Sequence, residues 1–382
     1  MANHSTATIE DLDQIINGLR VWHLALPVVS RRDHGIGSVA DTMEVVILRL
    51  STNDGLQGHG EASPWAVFTG TPEASYAAIN RYFRPHLLGS RLGDLKQTLA
   101  VIQRAVVHCT EAKSAVESAL FDLAGKALNK PVWALLGEKC RDSSPFSVSI
   151  ANPDFAQDIA LMHRLSDDGI GIVKLKTGFR DDDFDVMRMQ TIRSDFPEFK
   201  LRIDYNQGLN SETALDSVRK ALPFRPDFIE QPVVSHAYDT MAMIRSEIDV
   251  PLLADESIYG PEDMRRAIRE GICDGTSIKV MKSGGMRRGI ETASLAGSAN
   301  LPAYGGDMFE TGLAHLAGLH MLAVAPNISL GCEFYHSHYF LETDTLLETL
   351  KPVNGELFIP DEPGLGAELN EAVLEKYCLS QA

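Results

Sequence analysis

Three acids each close an apolar run, one after another along the chain: Asp204 in Arg202-Ile203-Asp204-Tyr205-Asn206, Glu230 in Phe228-Ile229-Glu230-Gln231-Pro232, and Asp255 in Leu253-Ala254-Asp255-Glu256-Ser257. Carboxylates at neighbouring strand ends repel one another unless a cation neutralises them. Hard oxygen ligands select Mg²⁺ or a similar ion, which keeps positions open for a substrate. Upstream, Lys174-Leu175-Lys176 interrupts an apolar run, and residues two apart on a strand share a face. Two adjacent ammoniums lower one another's pKa, which would free one of them as a neutral base at about pH 7. Lys279, in Ser277-Ile278-Lys279-Val280-Met281, holds the matching depth on a later run. Together these parts describe one chemistry. A divalent ion binds a substrate carboxylate while lysines on two faces exchange a proton at the adjacent carbon through an enolate.

Such groups meet only if the chain places their runs side by side. From about Pro145, short strand candidates alternate with helical stretches: Phe146–Ile150, Ile172–Thr177, Leu201–Tyr205, Phe228–Gln231, Leu252–Asp255, Thr276–Met281, Pro302–Tyr304 and Ser329–Phe334. Eight such units in series predict parallel strands with helical crossovers, closed into a barrel whose C-terminal rim carries the site. An open doubly wound sheet is the alternative. Residues 1–142 read as a mixed α+β unit, 143–345 as the barrel and 346–382 as a turn-rich tail that packs back on the first unit. In the first unit Leu19–Leu26, Glu44–Leu50 and Leu56–Glu61 predict a meander around the turn Asn53-Asp54-Gly55. Helices are expected over Thr71–Pro85, Asp94–Val107 and Glu111–Leu128.

Composition excludes several classes of partner. The 382 residues are 44% apolar and 23% charged, and the net charge of −17 opposes nucleic acid and anionic membrane. Arg31-Arg32 and Arg287-Arg288 are too short to form a basic patch. Five scattered cysteines with no close pairing favour reduced thiols. The start Met1–Asp13 is polar and acidic, and no run is long enough to span a membrane, so a cytoplasmic protein is expected.

The series Lys174-x-Lys176, Asp204-x-Asn206, Glu230-Gln231-Pro232, Asp255-Glu256-Ser257 and Lys279 resembles the muconate lactonizing enzyme subgroup of the enolase superfamily. Ala112–Leu120, Pro131–Gly137, Tyr304-Gly305-Gly306, Gly331-Cys332-Glu333 and Pro363–Gly366 extend the likeness over nearly the whole chain. The resemblance implies a (β/α)₇β modified TIM barrel under an N-terminal α+β capping domain. It implies Asp204, Glu230 and Asp255 as ligands of Mg²⁺, with Mn²⁺ as the alternative ion. Lys176 would be the main acid/base, Lys174 would tune it, Lys279 would face it, and Glu333 would be the acid closing the eighth strand. Asn206 would lie beside a small carboxylate substrate. The cap loops Val28–Ser38 and Pro64–Gly70 would set selectivity. A symmetric homo-oligomer, often an octamer, is also implied.

The leading expectation is a muconate-type cycloisomerase. Two clues bear on the substrate, and they oppose one another. Asp307 follows Tyr304-Gly305-Gly306 where muconate cycloisomerases carry a small neutral residue. A carboxylate there would welcome an ammonium, as in a racemase or epimerase of an amino-acid derivative, or would merely cap the next helix. Arg31-Arg32-Asp33-His34-Gly35 instead offers Arg31 and Arg32 to a distal carboxylate, with His34 beside them, unless both guanidiniums lie at the surface. His336-Ser337-His338 has same-face strand spacing but no partner ligands, so structural histidines are expected. Gly58-His59-Gly60 does not lead into a dinucleotide-binding unit, Met281–Gly285 lacks phosphate-loop spacing, and there is no Gly-x-Ser-x-Gly elbow. A catalytically silent binding barrel would have lost a ligand or a lysine, and every one is present.

Overall fold

The computed structural model describes residues 7–382, so the first half of the acidic start Met1–Asp13 lies outside it. The cap is built on an antiparallel sheet of Ile16–Pro27, Thr42–Thr52 and Gln57–Ala62, with the chain's last strand, Cys378–Gln381, on the far side of Ile16–Pro27. Each predicted strand of the meander is there; the first two run longer than their apolar runs, and the third is shifted by one residue. The helix Thr110–Leu128 lies across the strand Gln57–Ala62 and is buried over most of its length. Close approach explains the glycines of Gly58-His59-Gly60. A Cβ on Gly60 would stand 1.9 Å from the Ala115 carbonyl oxygen. This pair serves strand-on-helix packing.

The single helix expected over Thr71–Pro85 is broken. Pro72–Ala77 is α-helical, Ala78–Phe83 widens into a π turn, and Arg84–Leu87 resumes the α-helix. Proline has no N–H and its ring crowds the carbonyl four residues back, so Pro85 requires this relaxation.

The second body is an eight-stranded parallel sheet in sequential order: Val148–Ile150, Ile172–Lys176, Lys200–Asp204, Ile229–Glu230, Leu252–Ala254, Gly275–Ile278, Ala303–Gly305 and Ile328–Cys332. A parallel bridge from Phe146 to Cys332 joins the first run to the eighth and closes the barrel. Seven helices fill the crossovers, several with a legible start or stop. Pro261–Glu270, for example, opens on proline behind Gly260 and ends at Gly271 in the left-handed conformation. The fold is a (β/α)₇β barrel with an α+β cap, as expected.

Register places the chemistry. Lys176 pairs with Asp204, and Asp204 pairs with Glu230, so three functional groups stand abreast on strands two to four. The eighth strand stops at Cys332, and His336–Phe340 turn into a π-helical loop. The strand spacing read for His336 and His338 therefore does not apply: His336 is buried, whereas His338 packs beside the Tyr339 ring.

Candidate active site

The predicted lysines and acids converge at the C-terminal rim and are all buried. Lys174 Nζ lies 2.5 Å from Glu333 Oε2, 3.0 Å from Glu230 Oε2 and 3.3 Å from Asp204 Oδ2. Lys176 Nζ donates to Asp204 Oδ2 at 2.7 Å. Lys279 Nζ is 2.8 Å from Asp255 Oδ2, and Lys282 Nζ donates to Asp255 Oδ1 at 2.5 Å. Lys282 is not among the residues expected from the sequence, where Met281–Gly285 is weighed only as a phosphate loop and lacks its spacing.

The electrostatics overturn one expectation. Burial pushes the Lys174 ammonium down, but Glu230, Glu333 and Asp204 outweigh it and hold Lys174 charged well above the ordinary lysine range. The nearby carboxylates, rather than the neighbouring lysine, decide its state. Burial and neighbouring acids lift Glu256 to about 8, and burial lifts Glu230 to about 7 against the pull of Lys174. Burial also acts upward on Asp204 and Asp255, yet their lysine partners bring both below the usual carboxylate range.

Asp204, Glu230, Asp255, Glu256 and Glu333 outnumber Lys174, Lys176, Lys279 and Lys282, and Glu230 Oε1 has no hydrogen-bond partner among the described residues. An all-oxygen donor set with unspent acceptor capacity suits a hard divalent ion. Its frame is tied by Gln231, whose place was legible but whose task was not. The Gln231 amide oxygen accepts from Asp255 N at 2.9 Å and Ser257 N at 3.2 Å. Its nitrogen donates to Val233 O and to Ser257 Oγ, both at 2.9 Å. Gln231 does this at φ +33°, a strained backbone for a residue with a side chain.

Beside this cluster is a cavity with about 340 Å³ of empty volume. Lys176 and Lys279 enter it from strands two and six, opposite one another in an eight-stranded barrel, and Asn206, Asp307 and Glu333 line it too. His34, Trp65 and Phe68 reach it from the cap, and Phe309 meets them from the loop after the seventh barrel strand. His34 is held there because Gly35 packs against the barrel rim, where a Cβ would stand 2.2 Å from the Tyr205 carbonyl oxygen. Burial, then Lys176 and Arg32, push the His34 imidazole far below its usual range, so it is neutral. Trp65 meets Phe309 edge-on at 5.1 Å between ring centres. Neither aromatic could be singled out in sequence, since a lone ring in a loop has no periodicity.

Arg31 and Arg32 are not part of the cavity lining. Arg31 is exposed and donates to Asp33 at 2.7 Å. Arg32 is buried, donates to Ser149 O at 3.1 Å and stands 3.6 Å from Asp158. Inward burial spends its charge away from substrate. Asp307 is not a helix cap either, because Thr311 caps the helix Gly312–Val324. Asp307 Oδ2 instead contacts His336 Nδ1 at 2.6 Å and His315 Nε2 at 3.4 Å. Burial raises the Asp307 carboxyl, but the two imidazoles outweigh it and hold the group ionised. His336 also lines the cavity, so the sequence expectation of an ordinary structural histidine missed its position.

The family described as Enolase C-terminal domain-like matches residues 157–373, and the Mandelate racemase / muconate lactonizing enzyme N-terminal domain matches residues 23–137. The chain belongs to the muconate lactonizing enzyme subgroup of the enolase superfamily. Members of this superfamily similar to it differ in reaction. An N-succinyl-L-Arg/Lys racemase of Bacillus cereus is 30% identical over 96% of this chain and 98% of its own. The structure of a muconate cycloisomerase from Azorhizobium caulinodans is 37% identical, with a TM-score of 0.82 over 96% of this chain and 99% of that one. A dipeptide epimerase from Cytophaga hutchinsonii, complexed with Mg and the dipeptide D-Ala-L-Val, is 26% identical, with a TM-score of 0.89 over 96% and 99%. Among the described residues of this enolase-superfamily enzyme, no helix is long and apolar enough to cross a membrane.

Proposed function

We propose that this enzyme removes and returns the α-proton of a small carboxylate bearing an α-nitrogen, a racemisation or epimerisation. The observation that carries the reading is the cavity's charge. Asp307 faces it ionised, while Arg31 and Arg32 are engaged elsewhere, so among the described residues no arginine lines it and its lysines are Lys176 and Lys279 of the reaction itself. A second carboxylate would meet repulsion, and a substrate N–H or ammonium would be attracted.

Asp204, Glu230 and Asp255 would hold Mg²⁺, with Mn²⁺ as the alternative. The ion supplies positive charge for the substrate carboxylate and for the enolate that forms beside it. Lys176 takes the α-proton on one face, and Lys279 delivers one from the other. Lys174 is fixed as an ammonium among Glu230, Glu333 and Asp204, so it steadies the carboxylates of the site and is not itself the base. Glu333 holds Lys174 in place, and the Ser149 hydroxyl donates to it. Asn206, whose Nδ2 donates to Glu256 at 3.1 Å, borders the substrate from strand three.

The second reading is muconate-type cycloisomerisation, favoured by the likeness to a muconate cycloisomerase. One experiment separates the two. The Mg²⁺-loaded protein is incubated in D₂O with amino acids, N-acyl amino acids and dipeptides, and in parallel with cis,cis-muconate. Deuterium at the α-carbon with scrambled chirality supports the proposal, and mass spectrometry distinguishes exchange from addition or elimination. Metal-dependent loss of the muconate diene absorbance without α-exchange moves the assignment to the cycloisomerase. Absence of both, with no metal bound, leaves a silent barrel. The reading places the enzyme in the cytoplasm as a homo-oligomer, for which light scattering is the check.

A further inference from the structure

We infer that His336 touches the substrate: Asp307 accepts its Nδ1–H, and the opposite ring nitrogen accepts a hydrogen bond from an N–H on the substrate's α-carbon. The inference rests on the α-nitrogen reading above and names the group that would select it.

The geometry is that of an oriented imidazole. His336 Nδ1 lies 2.6 Å from Asp307 Oδ2. His315 Nε2 stands 3.4 Å from the same carboxylate oxygen without a hydrogen bond to it, and His315 Nδ1 meets Ser337 Oγ at 3.2 Å. An ionised carboxylate can only accept, so Nδ1 carries the proton in a neutral ring and Nε2 presents a lone pair. Among the described residues Nε2 has no hydrogen-bond partner, and His336 lines the cavity that Lys176 and Lys279 also line. The ring is fixed by Tyr335 at 4.0 Å and by Phe309 and Phe340 at 5.3 Å between centres. With the Asp307 carboxylate oriented behind it, the ring turns its outer nitrogen to the cavity as an acceptor. That suits an ammonium or amide N–H and opposes a carboxylate. Asp307 acts through His336 and is a positioning residue.

The test uses the full chain loaded with Mg²⁺ and labelled with ¹⁵N-histidine, the His336 signals being assigned by their loss in His336→Gln. The Nδ1–H tautomer is expected in the wild type and should be lost in Asp307→Leu; an Nε2–H tautomer in the wild type overturns the inference. N-acetyl-L-alanine should move the Nε2 resonance, whereas isobutyrate, with a methyl in place of the nitrogen, should not. Equal movement with both, or movement with neither, overturns it. For any substrate found by α-exchange, His336→Phe should raise KM at least tenfold with a smaller change in kcat, and His336→Gln, which keeps an acceptor, should restore part of the loss. A second metal ion bound per chain and abolished by His315→Ala would make the trio a metal site instead, and would also overturn it. The tautomer is read without substrate, so its failure strikes this pair alone. An intact tautomer without α-exchange strikes the reaction assignment.

Discussion

Replacing Lys176 with alanine removes the base but none of the proposed metal ligands. Turnover should fall by at least about a thousandfold, within the range of a general acid–base contribution, while Mg²⁺ affinity in a calorimetric titration changes little. Equal loss of both would show that Lys176 serves the metal frame instead. Gln231→Ala should act the other way. It breaks four hydrogen bonds, three of them from the end of strand four to the end of strand five, so Mg²⁺ affinity should drop about tenfold or more in the same titration. At this scale the sequence was informative wherever a charge interrupted an apolar run, which exposed Lys174, Lys176, Asp204, Glu230, Asp255 and Lys279. It was silent on Trp65 and Phe309 and took His336 for a structural histidine, because their roles come from contacts between segments far apart in the chain. The pairing of Asp307 with His336 depends on how the seventh and eighth strand ends sit together, and no residue spacing encodes that.

The elements follow the same division. Strands buried on both faces read clearly as apolar runs, and their ends agree with the structure to within one to three residues at most strands. The π turns at Ala78–Phe83 and His336–Phe340 did not read at all, since they answer to a local proline in one case and to the site in the other. The helix Gly312–Val324 shows how an element's end can carry a pH response. Asp344, buried in the segment after the barrel, accepts from Gly312 N at 2.9 Å and Thr345 N at 2.7 Å. Burial lifts its carboxyl to about 7, with those backbone bonds opposing. The folded state then holds this proton more tightly than the unfolded chain. The contribution to stability is therefore full below the unfolded pKa of about 4 and is lost as pH rises toward 7, at up to about 1.4 kcal/mol per pH unit. Asp344→Asn keeps an acceptor and removes the titration. Urea melts should show the variant gaining on the wild type between pH 4 and pH 8, and parallel curves would refute the assignment.

At the scale of the whole molecule, the cap and barrel depend on the helix Thr110–Leu128. Its Glu117 accepts from Arg287 N of the barrel at 2.9 Å, and its Asp122 accepts from Leu365 N of the tail at 2.8 Å. Gly60→Ala would force that helix off the cap sheet. The expected cost is about 3 kcal/mol or more, read as a lowered urea midpoint, because the blocking atom is a backbone oxygen. Metal should stabilise the same unit by linkage. Mg²⁺ at a hundred times its Kd adds about 2.7 kcal/mol, and EDTA should remove both that increment and all turnover.

The last strand, Cys378–Gln381, lies against the first, with Val21 N donating to Ala382 O at 2.8 Å. The cap thus combines three strands made before the barrel with one made after it. Its sheet must wait, one strand short, until the entire barrel has been made.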